Sequence, residues 1–454
     1  MTMDRLPGEM LAAVLRRLPP RYLAVCRAVC REWRGVIDAR GLLLAVAHLL
    51  PRPLSGIFIN FFGEVGHCFF SRPTQQRSPS PPGIDTTLQF LPNWWNPRGR
   101  GGVLDHCNGL LLYESGDSMY VCNPATRRSA PLPLPRIRPF FCTRTYLVFD
   151  PTVTLHYNVL FLPDAPMQVF SSTTGQWEEK HFIRVGDPTV TVSDVWLDPS
   201  PPTSSITIRR YAVYWQQALY LHCRGGFIVR LSLLEDKYMV IRTPESDTLF
   251  IMPPKSHNDE CGERHEEHST PHVYLGKSKL GVYYTILRGC RLSVWTLHQG
   301  SELRQTAKWD LNHQADLEPS FLRHYTNHHL VQEINKPWIL NPSQKESEDT
   351  GAYEWDSSDD SVVDAQGAIN NNERCVHRYD GIDLLGYHPC KEIAFLGDRL
   401  SAFAYNLDNT KLECLGSLCQ TCRRHMPDSP APTLRSFIYT PCLYDQLPAH
   451  NDDE

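Results

Sequence analysis

The chain lacks a basic excess: 45 Lys and Arg stand against 50 Asp and Glu, a net charge of −5 over 454 residues. A nucleic-acid partner ordinarily leaves a basic footprint, so none is expected. It also lacks a long apolar run. The longest, Gly41–Leu50, lies between Arg40 and Pro51 and is well short of the ~20 residues a membrane span requires. No basic-then-apolar leader opens the sequence, because Met1–Arg5 runs straight into an amphipathic pattern. The only Asn-x-Ser, Asn341-Pro342-Ser343, holds the proline that blocks glycosylation. The 15 cysteines are odd in number and scattered, unlike the dense framework of a small secreted domain, and read as reduced and mostly buried. These absences point to a cytoplasmic or nuclear protein with no membrane partner. Catalytic signatures are missing as well: there is no Gly-x-Ser-x-Gly elbow, no phosphate loop and no Gly-x-Gly-x-x-Gly, so no enzymatic activity is expected.

What is present is the composition of an ordinary globular protein, 41% apolar, 21% charged and 10% aromatic, with 36 prolines. Proline therefore makes up about 8% of the chain against an average near 5%, which suits many short segments joined by turns. Two textures meet near residue 50. In the first, Met10, Leu11, Val14, Leu15 and Leu18 recur at helical spacing, Pro7 suits a first turn, and Pro19-Pro20 ends the helix. A short apolar stretch Tyr22–Cys26 follows, and then Val29, Cys30, Trp33, Val36 and Ile37 form another helical face. Three short helices in about forty residues bury too little surface for independent stability, so the unit is expected to pack against a partner or the next domain.

After residue 54 the signal becomes short β-branched and aromatic runs separated by turn chemistry. Examples are Met119–Cys122, Tyr146–Phe149 and Gln168–Phe170, and the pairs Tyr211–Trp215 with Ala218–His222, Gly281–Leu287 with Arg291–Leu297, and Glu392–Leu396 with Ser401–Tyr405. Such strand pairs, recurring without a strict period, predict a degenerate β-propeller. Setting aside the polar stretches 71–82, 253–270 and 343–372, the remaining length at roughly 40–50 residues per blade predicts about seven blades, within a range of six to eight. A β-sandwich for part of the chain is the structural alternative. The stretch 343–372 is acidic and poor in apolar residues, which predicts disorder and a solvated linker.

Cys419-x-x-Cys422 with His425, and Cys414 upstream, is the best metal candidate, since thiolates and imidazole at such spacing can wrap zinc. A second matching pair is missing, and His388, Cys390 and Cys442 could serve only if the fold brought them close. These groups are read as unpaired thiols and imidazoles, and no metal or cofactor is expected. The His265–His268 stretch has the wrong spacing for a His-Glu-x-x-His helix and reads as a polar loop. Pro92–Gly102, with Trp94, Trp95 and Arg98, is a candidate partner-binding loop by composition, because aromatics and arginine favour interfaces.

Leu6-Pro7-Gly8-Glu9-Met10-Leu11, Val14-Leu15, Leu18-Pro19 and Val29-Cys30-Arg31-Glu32-Trp33 together resemble an F-box, in residue type and spacing over some thirty positions. The resemblance implies a helical module that docks on the Skp-family adaptor of a cullin-RING ubiquitin ligase. It implies adaptor contact by Leu6, Pro7, Leu11, Leu15, Leu18, Leu23 and Val29, with Val29, Cys30 and Trp33 building the third helix and its packing. Ala24-Val25 departs from the pair of leucines or basic residue often found there. Over residues 105–447 the phrases His106–Leu111, Cys122–Arg127, Phe149-Asp150-Pro151, Val169–Ser172, Leu292–Trp295, Gly386–Pro389 and Tyr439–Cys442 resemble the kelch-like F-box-associated domain of plant F-box proteins. The expected organisation is therefore an α+β multidomain chain. It comprises an F-box helical domain at 1–50, a connecting segment with first strands at 51–104, an F-box-associated β domain at 105–447 and a tail at 448–454. The implied role is substrate recognition within a Skp-cullin-F-box ligase, catalysis belonging to other subunits. The alternative is a non-degradative scaffold whose β domain binds a protein or glycan.

Overall fold

The computed structural model describes residues 8–18, 20–42, 54–61, 66–72, 84–92, 101–135, 145–162, 167–186, 212–223, 226–244, 272–298, 307–327, 338–342, 382–398, 400–418, 433–442 and 447. Three helices come first: α1 (Gly8–Leu15), α2 (Pro20–Val29) and α3 (Arg31–Ala39). Cys30 caps α3 from an extended conformation, its Sγ accepting the Trp33 backbone N–H at 3.4 Å. Arg27 joins α2 to α3 through a two-pronged pair with Asp38, Nε to Oδ1 at 2.7 Å and Nη2 to Oδ2 at 2.9 Å, the geometry that makes guanidinium–carboxylate pairs strong.

The remainder is strand. β1 (Gly56–Phe61) and β2 (Cys68–Ser71) are followed by a sheet of β3 (Gly101–Cys107), β4 (Leu110–Ser115), β5 (Ser118–Asn123) and β6 (Arg128–Leu132). The next contains β7 (Thr145–Phe149), β8 (Tyr157–Phe161), β9 (Met167–Ser171) and β10 (Gln176–Lys180). A five-stranded sheet holds β11 (Ile183–Arg184), β12 (Ala212–Trp215), β13 (Ala218–Cys223), β14 (Phe227–Ser232) and β15 (Lys237–Arg242). Then come β16 (His272–Ser278), β17 (Gly281–Arg288), β18 (Arg291–His298) and β19 (Lys308–Asp316), the helix α4 (Glu318–Asn327), and β20 (Ile339–Pro342). β21 (Asp383–Tyr387), β22 (Ile393–Gly397), β23 (Ser401–Asn406) and β24 (Leu412–Ser417) make the last sheet, and β25 (Thr433–Tyr439) ends the strand sequence. Each sheet is one blade, and the fold is a six-bladed β-propeller. Six lies at the low end of the expected range, because more chain than the three subtracted stretches falls between blades. Separate four- and five-stranded sheets are not the two facing layers of a sandwich. β1, β2 and most of β3 fall within 51–104, and these first strands are part of the propeller.

The first blade is built from three parts of the chain, in the order β20-β2-β1-β25. Ile57 of β1 pairs with Phe70 on one side and with Ile438 of β25 on the other. β20, from the connection between the fifth and sixth blades, covers the outer edge of β2. Trp338, just before β20, donates its backbone N–H to Leu415 O at 2.8 Å, and its ring packs on Phe70 and Phe395. A single side chain thus ties the first blade to the sixth.

Sequence phrases that recur in the chain are the joints between blades. Asn108 and Gly109 both have positive φ, 47° and 93°, the requirement of a tight two-residue hairpin between Cys107 and Leu110. From that turn Asn108 Nδ2 donates to Phe149 O at 2.7 Å in the next blade, and Gly109 lies so close to Cys442 that a Cβ would collide with it. Asn123 Nδ2 donates to Cys442 O at 2.8 Å, so both turns hold the C-terminal segment. Asp150 Oδ1 accepts the Thr152 N–H and hydroxyl, bending the chain after β7. Trp177 and Trp309, on the outer strands β10 and β19, each donate an indole N–H to a carbonyl of the preceding blade, Pro133 O at 2.7 Å and Arg242 O at 2.8 Å.

The stretches 71–82 (beyond Arg72), 253–270 and 343–372, and the residues Cys419, Cys422 and His425, lie outside the described residues.

Phe58, fully buried on β1 and stacked among His67, Phe69 and Tyr439, is expected to anchor ring closure. Phe58→Ala should cost about 3–5 kcal/mol, lowering the urea midpoint. Leu234→Ala, at a side chain 79% exposed, should stay within about 0.5 kcal/mol of the parent.

Candidate functional site

Two places gather chemistry at an accessible surface: the three helices and the channel at the centre of the propeller.

On the helices the apolar stripe divides. Leu11, Ala12, Leu15, Leu23 and Ile37 are buried, with Leu18, Cys26, Trp33 and Val36 packed on them half-buried. The same continuous core takes in Leu42 and extends to Cys107, Leu110, Cys442 and Leu447 of the β domain. The complementary edge of the stripe points outward: Met10 is 57% exposed and Val14 49% on α1, Tyr22 61% and Val29 61% on α2. Leu11, Leu15 and Leu23 of the expected docking set thus lie in the buried core, and Met10, Val14 and Tyr22, outside that set, are exposed. Val29 is exposed and ends α2 instead of lying in the third helix as expected, because Cys30 caps α3 only from Arg31 on; Leu18 is half-buried, and Leu6 and Pro7 lie outside the described residues. Cys30 and Trp33 hold structural positions, as cap and core neighbour. The helices are also basic within an acidic chain: residues 1–43 contain eight arginines and four acidic residues.

In the propeller the six inner strands β3, β7, β12, β16, β21 and β25 surround a cavity of 620 Å³. Close approach of these strands depends on glycine: a Cβ on Gly276 would strike the Tyr387 ring, and one on Gly386, at φ 142°, would strike Ile438. Its lining includes Asp105, His106, Asp150, Lys277 and Arg435, beside the weaker acids Cys107, Cys390 and four tyrosines. Lys277 Nζ donates to Tyr214 O at 2.9 Å, and Arg435 Nη1 donates to Leu104 O at 3.3 Å. Asp105 Oδ2 accepts the Leu147 N–H at 2.7 Å. Burial raises the Asp105 carboxyl to about 7, opposed by backbone N–H groups of Leu147 and His106 and by the charges of Arg435 and Lys277. His106, enclosed beside Phe437, is lowered to about 3 by burial and by Lys277, so it is neutral. Cys107 is pushed up to about 12 by burial and stays a thiol bonded to Phe149 O.

Local motif reading missed this site because each strand supplies one or two residues separated by as many as 330 positions, and only their place on inner strands unites them. The signal that could have found it is a single acidic or basic residue inside a strand with no other Asp, Glu, Lys or Arg: Asp105 in Val103–Cys107, Lys277 in Val273–Ser278 and Arg435 in Leu434–Tyr439.

The other sequence candidates are not gathered into a site among the described residues. His388 Nδ1 accepts the Cys390 and Lys391 N–H groups at 3.0 and 3.1 Å, closing a turn, and burial lowers it to about 4. Cys414 is half-buried, with its thiol raised to about 11, and Cys442 is buried at the hairpin contact described above. Among the described residues no three His, Cys, Asp or Glu side chains stand close enough to share a metal ion. Trp94, Trp95 and Arg98 lie outside the described residues. Among those described, no helix is long and apolar enough to cross a membrane.

Residues 3–43 match the F-box-like family model. An F-box protein of Arabidopsis thaliana is 25% identical over 233 residues, 51% of this chain and 60% of that protein. F-box only protein 27 of Mus musculus is 47% identical over 125 residues, 26% of this chain and 40% of that protein. The chain thus spans less than two thirds of the length of these relatives. Among solved structures, a Nup133 β-propeller domain from Vanderwaltozyma polyspora aligns over 80% of this chain and 75% of that one at 8% identity, with a TM-score of 0.29. The chain carries an N-terminal F-box-like domain followed by a six-bladed β-propeller, with plant F-box relatives at low identity.

The raised Asp105 has a defined consequence for stability. The unfolded carboxyl releases its proton near pH 4, whereas the folded one holds it to about 7. The group therefore costs nothing below the lower value and progressively destabilises the fold as pH rises to the upper one. Asp105→Asn keeps an acceptor for Leu147 and removes the charge. Its melting temperature should match the parent near about pH 4 and exceed it increasingly toward about pH 8; a gap independent of pH would contradict this.

Proposed function

We propose that this chain is the substrate receptor of a Skp-cullin-F-box ubiquitin ligase. The helices dock on a Skp-family adaptor and the propeller holds a protein substrate. The observation that carries the reading is the outward edge of the helical stripe within a segment matching the F-box-like family. Four sizeable apolar side chains, Met10, Val14, Tyr22 and Val29, are left in water by a unit with little apolar area to spare. Exposed apolar groups grouped on one small module mark an association surface. The arginine excess around them adds attraction toward an acidic partner face.

In this reading Leu6 and Pro7 extend the contact, and Leu11, Leu15, Leu18 and Leu23 act through the packing that fixes α1 and α2. Catalysis belongs to the partner subunits, as is usual for F-box proteins. The contribution of this chain is proximity: a docking module joined to a recognition module raises the local concentration of substrate lysines at the ubiquitin carrier. The core shared by the helices and the β domain favours a fixed relation between the two, which that role requires. Trp94, Trp95 and Arg98 are proposed as substrate contacts.

Co-purification with a Skp-family adaptor tests the docking. The parent should bind. A Met10→Asp, Val14→Asp variant should lose at least about 100-fold in affinity, or about 3 kcal/mol, with an unchanged circular dichroism spectrum. Leu11→Asp should instead lose helix signal. Adaptor binding unaffected by the Met10 and Val14 changes would overturn the assignment. Cullin in the purified complex and a shortened half-life of a bound protein would separate the ligase role from a scaffold.

A further inference from the structure

The channel has the size and lining of a small-molecule site, independently of what the helices bind. Its 620 Å³ lies within the ~300–1,000 Å³ of ordinary ligand pockets. The walls are aromatic, with Tyr146, Tyr214, Trp215, Tyr274 and Tyr387 from four different blades. Two cations enter from opposite parts of the sequence, Lys277 on β16 and Arg435 on β25. Arg435 forms no ion pair among the described residues and spends one donor on the Leu104 carbonyl, leaving guanidinium donors for a planar acceptor. We propose that the channel binds a small organic carboxylate, its anionic end held by Arg435 and Lys277 and its apolar body set among the tyrosines.

The charge balance around Asp105 selects an anion and links its binding to a proton. Facing Asp105 are His106 and Cys107 on its own strand, the Leu147 N–H on β7, Lys277 on β16 and Arg435 on β25. His106 and Cys107 are uncharged, and the Asp150 carboxylate is engaged by Thr152. Among the described lining residues, the charges of Lys277 and Arg435 are matched by those of Asp105 and Asp150 when Asp105 is ionised. With Asp105 protonated, one positive charge is left over. A monoanion therefore favours the protonated site, and its binding takes up a proton. A site competent only when protonated, with an acid group near 7, should bind about ten-fold more tightly at about pH 6 than at about pH 8.

Calorimetric titration of the full chain with benzoate, 3-phenylpropionate and octanoate, each beside its neutral amide, tests the proposal at concentrations up to about 10 mM. At least one acid should bind at least about ten-fold more tightly than its amide. Affinity should rise as the pH is lowered, and both Arg435→Gln and Lys277→Gln should weaken it by a similar factor while their melting curves show a folded propeller. Asp105→Asn serves as the second variant, because it keeps the Leu147 contact: it should hold the low-pH affinity at every pH. A short peptide with a free C-terminal carboxylate, tested beside its amidated form, distinguishes a protein end from a free acid as the source of the anion. Failure of every acid to bind, equal binding of acid and amide, binding unchanged in the Arg435 and Lys277 variants, or tighter binding of the free-carboxylate peptide than of the small acids would overturn it.

Discussion

Ring closure is the constraint on which the rest of the molecule depends. A propeller encloses a channel only if its last blade is joined to its first, and here a single sheet does this with strands from three distant parts of the chain. β25 supplies the inner edge, β1 and β2 the middle and β20 the outer edge. The buried Phe58–Phe69–Tyr439 cluster fills the seam, and Trp338 locks its far side to the sixth blade. Each pairing closes a long loop, whose entropic cost grows only slowly with length, so wide separation in sequence is affordable once apolar burial is available. The turns at Asn108-Gly109 and Asn123 extend the same logic, since both grip Cys442.

The channel chemistry follows from closure. Lys277 and Arg435 share a space because β16 and β25 are both inner strands, and β25 is inner only through its pairing with β1. Asp105 lines the same space, held by a backbone bond to the neighbouring blade. Ionisable groups in such a position carry an electrostatic cost that a core built for stability alone would avoid. Their presence among aromatic walls gives the channel the character of a site. The helical domain shows the opposite economy: it uses half of its apolar stripe to hold itself together and leaves the other half exposed.

Much of the architecture was legible in sequence because it rests on local patterns. Strand pairs such as Gly281–Leu287 with Arg291–Leu297 and Glu392–Leu396 with Ser401–Tyr405 appear as antiparallel hairpins, since apolar β-branched and aromatic runs and the tight turns between them are written in adjacent residues. The three helices likewise follow from periodicity and proline placement. Periodicity alone does not tell which edge of α1 faces inward, because Met10, Leu11, Val14 and Leu15 on so short a helix cover both the interior and the exterior. Leu11 and Leu15 face the core, and Met10 and Val14 are the exposed pair. The composition of the first blade and the channel constellation were illegible for another reason. Ile57, Phe70, Ile438 and Leu340 become neighbours only through long-range pairing, as do Asp105, Lys277 and Arg435.

The central claim is a division of labour: the helices carry the adaptor contact while the propeller stays free for another ligand. Hydrogen–deuterium exchange of the full chain, alone and saturated with a Skp-family adaptor, tests it most directly. The account predicts added protection confined to peptides spanning α1 and α2, with exchange in the six inner strands unchanged. Protection centred on the inner strands, or none on α1 and α2, would contradict it.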